Sequence, residues 1–180
     1  GAGLHGENTG ETPAEAVAAE IAAAGGRAIA DHSSVTDWAA TEKLITLAVT
    51  EFGQLDVVVN NAGILRDRML FSMTEEDFDA VIGVHLRGTF TCVREAYGYF
   101  KEHEQPGRII TIGSPTGQRG NFGQTNYAAA KAGIVGMTRT WAIEMKKAGV
   151  TANTVIPVAA TAMTKTIPYF AAAVEAVEAG

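Results

Sequence analysis

The sequence predicts an α/β chain built on a doubly wound parallel sheet. Three observations carry this expectation. Helical and strand patterns alternate along the chain, the central strand candidates are short and nearly continuous in apolar character, and glycine, proline and asparagine punctuate the joins. Continuous apolar strands fit a parallel sheet covered on both faces, and such strands are joined by right-handed crossovers through helices. The 180 residues are one domain's worth, with no internal repeat, second domain or disordered linker.

Each element has its own signal. After a Gly-rich opening over Gly1 to Glu11, Thr12-Pro13-Ala14-Glu15 combines a capping box with proline at the first helical position. An Ala-rich helix should run from there to about Ala24, stopped by Gly25-Gly26. Arg27 to Ala30 reads as a short strand ending in the polar stretch Asp31 to Ser34. A second helix is expected over Asp37 to Phe52, with Gly53 as its C-terminal cap. Leu55 to Val59 reads as a buried strand ending at Asn60-Asn61-Ala62-Gly63. Thr74-Glu75-Glu76-Asp77 opens a helix with an acidic first turn, and apolar spacing carries it through Val93 towards Phe100, about 28 residues. Arg108 to Ile112 is another strand, followed by a Gly/Pro-rich loop, a helix over Asn126 to Lys147 and a last strand over Val150 to Ile156. A nucleotide-binding sheet of this kind normally begins with a strand, a Gly-rich turn and a helix that cradle a pyrophosphate. Nothing before Gly1 supplies them, so a longer parent chain is expected; an intact mass near 18.8 kDa would refute that.

Composition narrows the function. Charged residues are 19% and the net charge is −6, which argues against a nucleic-acid footprint, and no Lys/Arg run marks a membrane patch. No apolar run of about eighteen residues occurs. The partner expected is a small molecule. The one cysteine, Cys92, lies in an apolar stretch and reads as core, in a reducing compartment. His5, His32 and His103 lack metal-ligand spacing, so no catalytic metal is expected. Trp38, Trp141 and Met137 sit at helical positions suited to packing.

The chemistry-bearing constellation is Ser114, Tyr127 and Lys131. Positions four apart share a helix face, so the Tyr127 hydroxyl and the Lys131 ammonium can meet in one site. A nearby cation and a helix N-terminus favour phenolate, which predicts a Tyr127 able to exchange its proton nearer neutral pH. Ser114 ends a predicted strand, where sheet rims bind ligands. Tyr97 and Lys101 repeat the spacing, but thirteen residues before Tyr97 stands Val84, so only Tyr127 has the full set.

Asn60-Asn61-Ala62-Gly63, Ser114, and Tyr127 with Lys131 together resemble the short-chain dehydrogenase/reductase family, whose fold is Rossmann-like. Longer stretches, Asn60 through Arg68, Val84-His85-Leu86-Arg87-Gly88 and Gly120-Asn121-Phe122-Gly123-Gln124, are similar to the (3R)-hydroxyacyl-CoA dehydrogenase domains of multifunctional type 2 enzymes and their single-domain bacterial relatives. The resemblance implies that Tyr127 moves the proton, Ser114 hydrogen-bonds the substrate oxygen and Lys131 binds the nicotinamide ribose. It places Asn60, Ala62 and Gly63 under the adenosine part of the cofactor, with Gly63 allowing close backbone approach and Asn60 able to tie the strand end to its neighbour. His85 stands where the family has a fourth catalytic residue, an asparagine of a water relay. Ser33 stands where many relatives have an aspartate against the adenine amino group. Pro157 and Thr161 match cofactor-contacting positions, although Pro157-Val158 replaces proline-glycine. Met163 to Phe170 matches the family's substrate lid.

What the resemblance implies is an NAD(P)-dependent oxidoreductase interconverting a secondary alcohol and a ketone, first of all a 3-hydroxyacyl-CoA and its 3-oxoacyl counterpart. NAD is the expected cofactor, with NADP open because the deciding residue lies outside the sequence. An NADPH-dependent 3-oxoacyl-carrier-protein reductase is the alternative, and a non-catalytic scaffold keeping the fold is the alternative of another class. By the same likeness a homodimer or homotetramer acting on an acyl thioester is expected; the Ala-rich composition suits the cytoplasm, with a peroxisomal location open.

Overall fold

The structure is a computed structural model and describes residues 13–157. The Thr12 capping box, His5, Thr161 and the Met163 to Phe170 lid lie outside the described residues. Helix α1 spans Pro13–Ala23 and buries none of its residues. Arg27 to Ala30, expected as a strand, has no ladder partner among the described residues and takes no strand structure. Short apolar character does not make a strand without a neighbour to hydrogen-bond.

Helix α2 spans Trp38–Phe52. Asp37 caps its start, Oδ1 accepting the Ala40 N–H at 3.2 Å, and Gly53 ends it at φ 88°, a left-handed conformation that glycine adopts without a Cβ penalty. Strand β1 is Val57–Asn60. The long helix predicted from Thr74 forms as three consecutive segments: α3 over Glu75–Val81, a π-helical turn over Ile82–Arg87, and α4 over Gly88–Glu102. Thr74 caps it, its hydroxyl oxygen accepting the Asp77 N–H at 3.1 Å. The wide turn is marked by the Gly88 N–H reaching back five residues to the Gly83 carbonyl.

Strand β2 is Arg108–Ile112, as expected, and the loop after it contains a short helix, α5, over Thr116–Arg119. Helix α6 spans Thr125–Glu144 and gives way to a 3₁₀ turn at Lys146–Ala148 before β3, Thr151–Val155. The three strands are parallel in the order β1-β2-β3, with Val58 opposite Ile109 and Ile109 opposite Ala152. Their carboxyl ends therefore lie along one edge.

One face of this sheet is covered. Helices α4 and α6 pack against Val58, Ile109 and Ala152, forming a core with Val93, Ala96, Phe100, Trp141, Met145 and Val150. Gly107 admits Phe100, because a Cβ there would stand 2.4 Å from the ring. On the opposite face Val59 is 56% exposed and Val155 48% exposed. Side chains alternate between more and less exposed along β1 and β3. Cys92 is buried, as expected. Trp141 is core, whereas Trp38 packs at the surface, edge-on to Phe90 with its indole N–H donating to Glu95 at 2.8 Å.

A chain of buried hydroxyls pins α6 to the sheet. Thr138 Oγ1 donates to the Ile134 carbonyl at 2.8 Å and lies 2.9 Å from Thr111 Oγ1, whose proton has both Thr138 and the Asn153 carbonyl, at 3.4 Å, as acceptors. Thr111 in turn accepts from Thr154 at 2.9 Å.

Candidate active site

The carboxyl edge of the sheet collects the predicted residues. Asn60 closes β1, Ser114 follows β2 and Pro157 follows β3, while Tyr127 and Lys131 project from the first turns of α6. Tyr127 is 7% exposed and Lys131 5%, whereas in the decoy pair Tyr97 is half-buried and Lys101 exposed. Burial therefore separates two pairs that share one spacing.

Ser114 is held for its task by local geometry. Its Oγ accepts the Thr116 N–H at 3.2 Å and its carbonyl accepts the Gly117 N–H at 3.1 Å, which starts α5. The Ser114 side chain also hydrogen-bonds the Tyr127 phenol. Helix α5 lies hard against α6: a Cβ at Gly117 would fall 2.7 Å from the Ala132 nitrogen and the Lys131 carbonyl carbon. Only glycine allows the serine loop and the tyrosine helix to come this close.

The electrostatics differ from the sequence expectation. Burial raises the Tyr127 pKa above 10.0, the Ser114 hydrogen bond opposes this, and the Asp67 charge adds to the rise. Lys131 does not offset it: its ammonium donates to the Ile112 carbonyl at 2.6 Å and lies 5.5 Å over the phenol ring. Burial lowers the Lys131 pKa to about 8. Tyr127 thus stands as a neutral phenol at neutral pH, the reverse of the phenolate-favouring site predicted.

A polar network missed in the sequence positions Tyr127. Asn126 is fully buried and saturated: Nδ2 donates to the Arg66 and Asp77 carbonyls, both at 3.0 Å, and Oδ1 accepts the Tyr127 N–H at 2.8 Å. Gln124, 3% exposed, donates to Asp67 Oδ2 at 2.9 Å and accepts from Asn121 at 2.9 Å. The Arg68 N–H donates to the Gly123 carbonyl at 2.9 Å, closing the loop after β1 onto the loop before α6. The available signal was the amide pair Gln124 and Asn126 immediately before Tyr127 in a stretch otherwise made of small residues.

His85 sits in the π-helical turn, 1% exposed. Its ring meets Tyr127 edge to face, centroids 5.1 Å apart, and Nε2 lies 3.1 Å from the Ile64 nitrogen and 2.9 Å from the Ile64 oxygen. Gly63 is half-buried against it. Ala62 is exposed, and Ser33 lies in an exposed turn where its N–H donates to Asp31 Oδ1 at 2.8 Å. The Asn60 side-chain nitrogen is buried without a hydrogen-bond partner, so it does not tie β1 to its neighbour. A buried donor left unpaired costs about 1–3 kcal/mol. Such a donor at the carboxyl end of β1 fits an acceptor-rich cofactor. No metal-binding group of three His, Cys, Asp or Glu occurs among the described residues, and no helix there is long and apolar enough to cross a membrane.

The short chain dehydrogenase family model matches residues 6–170. The chain belongs to the short-chain dehydrogenase family. It is 46% identical over 166 residues to the peroxisomal multifunctional enzyme type 2 of Drosophila melanogaster, covering 92% of this chain and 27% of that protein. It is 44% identical over 171 residues to the hydroxyacyl-CoA dehydrogenase ChsB1 of Mycobacterium tuberculosis, covering 91% and 53%. With the 3-oxoacyl-[acyl-carrier-protein] reductase of Synechocystis the identity is 47% over 146 residues, covering 81% and 59%. A short chain dehydrogenase structure from Mycobacterium avium superposes with a TM-score of 0.80 at 50% identity, over 83% of this chain and 53% of that one. The chain therefore spans about a quarter to three fifths of the length of these relatives. Members of the family use NAD(P) in general.

Proposed function

We propose that this chain belongs to an NAD(P)-dependent oxidoreductase that interconverts a 3-hydroxyacyl thioester and its 3-oxo counterpart. The observation that carries the reading is the Ser114 hydrogen bond to a buried Tyr127 phenol, with Lys131 over the ring. When bound, the nicotinamide supplies or accepts the hydride. Residues expected to hold it are Asn60, through its unpaired amide, Ala62, Gly63, Lys131, Ser33, Pro157 and Thr161, with NAD the proposed form.

The chain's own part is to fix the substrate oxygen and handle its proton. Ser114 is oriented by the Thr116 N–H and shares its hydroxyl with Tyr127, so both groups converge on one oxygen. Tyr127, neutral at pH 7, donates its proton to that oxygen when a ketone is reduced and receives it when an alcohol is oxidised. Lys131, with a pKa of about 8, keeps an exchangeable proton beside this pair near neutral pH. A second reading is a 3-oxoacyl-carrier-protein reductase, as the Synechocystis relative is named.

The deciding experiment follows absorbance at 340 nm with acetoacetyl-CoA and the full-length protein, given NADH or NADPH. Oxidation of NADH favours the first reading and oxidation of NADPH the second. No oxidation of either removes the enzyme reading in favour of a scaffold, and a Tyr127→Phe variant at full rate removes the mechanism.

A further inference from the structure

We propose that Gln124 is a positioning residue whose side-chain amide, oriented by the Asp67 carboxylate, ties the loop after β1 to the first residue of α5 and so sets where Ser114 meets the Tyr127 phenol. The proposal rests on the reading of Ser114 and Tyr127 as the pair that handles the substrate oxygen.

The amide has one orientation. Gln124 is buried, and its Nε2 donates to Asp67 Oδ2 at 2.9 Å. Its Oε1 accepts from Asn121 Nδ2 at 2.9 Å and from the Thr116 hydroxyl at 3.4 Å. A carboxylate only accepts, so turning the amide over would set an oxygen against Asp67 and take the acceptor away from Thr116 and Asn121. The Asp67 charge thereby selects the face that Gln124 shows to α5.

Both members of the reacting pair are referenced to this one residue. Through its backbone Gln124 opens the tyrosine helix: its carbonyl accepts the Ala128 N–H at 2.8 Å, and Tyr127 lies in the first turn that follows. Through its side chain it reaches Thr116, whose own N–H donates to Ser114 Oγ at 3.2 Å. Thr116 is buried too, so this contact is made away from bulk water. The Gly117 contact sets how closely α5 approaches α6, and Gln124 adds a directional bond at the end of α5 nearer Ser114. A path of side chains thus runs from Ser114 through Thr116 and Gln124 to Asp67. Its far end lies close enough to Tyr127 for the Asp67 charge to raise the phenol pKa.

Exchanging the two ends of the pair tests it in the full-length protein. Gln124→Glu sets two carboxylates face to face. Adding Asp67→Asn restores a donor and an acceptor with the sense reversed, and still leaves a carboxylate oxygen for Thr116 and Asn121. With acetoacetyl-CoA and the reduced cofactor that wild type oxidises, we expect kcat of Gln124→Glu to fall by about tenfold or more. The double variant should return to within about threefold of wild type, with KM for both substrates changed less than about twofold throughout. Thr116→Val keeps the N–H that holds Ser114 and removes only the hydroxyl. It should lower kcat about threefold in the wild-type background and no further beside Gln124→Ala, because both changes remove the same contact. A double variant no faster than Gln124→Glu would overturn the pair, and additive losses for Thr116→Val would overturn the link to α5. A raised KM for acetoacetyl-CoA at unchanged kcat would overturn positioning in favour of direct contact with substrate. A wild type that oxidises neither cofactor defeats the proposed function instead; urea midpoints of the same variants then decide the pair, which falls if the double variant unfolds as early as Gln124→Glu.

Discussion

Lys131 offers a sharp test of the site, because its burial ties catalysis to stability. The residue is 5% exposed, and burial lowers its pKa from 10.5 to about 8. In the unfolded chain the amine keeps its proton up to the higher value. Between pH 8 and 10.5 the unfolded state binds more protons than the folded one, so stability rises with pH across that window. Below pH 8 both states are charged, and the folded protein carries the whole cost of the buried ammonium, about 3 kcal/mol from the separation of the two pKa values. Lys131→Met removes the charge and nearly keeps the length. Urea unfolding of wild type and variant at pH 7, 8, 9 and 10 reads the difference. Wild type should gain about 2.5 kcal/mol relative to the variant between pH 7 and 10, roughly 1 M in urea midpoint at an m-value of about 2 kcal/mol/M. The lost bond to Ile112 shifts the variant by an offset, while the divergence with pH belongs to ionisation. The series stops at pH 10 because Tyr127, held protonated by burial, contributes the opposite slope above it. Stability curves that stay parallel from pH 7 to 10 would show that the ammonium is not desolvated in the folded protein and would refute the reasoning.

Other perturbations follow from the same geometry. In acid, folded His85 stays neutral down to about pH 4 while the unfolded ring charges near 6.5, so stability falls as pH drops through that window, by up to about 3 kcal/mol; His85→Gln should remove this loss in pH-dependent melting. Gly117→Ala drives a methyl into the α6 backbone beside Lys131 and should cost about 1–3 kcal/mol in denaturant unfolding with a drop in kcat; an unchanged midpoint would show that α5 can move away freely. Asn126→Ala strands two carbonyls and the Tyr127 N–H, a predicted loss of about 2–4 kcal/mol read as a lower Tm, with activity falling alongside. Thr138→Val keeps the shape and removes one hydroxyl partner of Thr111, whose proton still has the Asn153 carbonyl at 3.4 Å, so a loss of about 0.5–1.5 kcal/mol is expected by the same measurement.

The parts of the fold legible in the sequence are those written in local patterns. Arg108 to Ile112 is β-branched and bounded by Gly107 and Gly113, and it forms the strand expected. Asp37 and Gly53 bracket α2 with ordinary capping chemistry. Helix α5 was hidden, because Pro115-Thr116-Gly117 reads as a loop and becomes helical only where Ser114 starts it and α6 receives Gly117. Arg27 to Ala30 failed as a strand for the complementary reason, since pairing is a tertiary property. At the site, Ser114, Tyr127 and Lys131 were readable from spacing, and the structure brings them together. The direction of the Tyr127 pKa was not, because spacing shows a cation nearby but says nothing of how deeply the pair is buried. Gln124, Asn126 and Asp67 have no period to betray them; their bonds reach a loop and helix α3, 49 to 60 residues away.

The π-helical turn at Ile82–Arg87 gives the long helix two phases instead of one. An α-helix advances its side chains by about 100° per residue, and a wide turn absorbs one extra residue without breaking the rod. Upstream, Val81 faces the cluster that contains Tyr127; downstream, Val93, Ala96 and Phe100 face the sheet core. The turn works as a phase joint, so the half of the helix that shapes the reaction site can vary without rotating the half that holds the scaffold together.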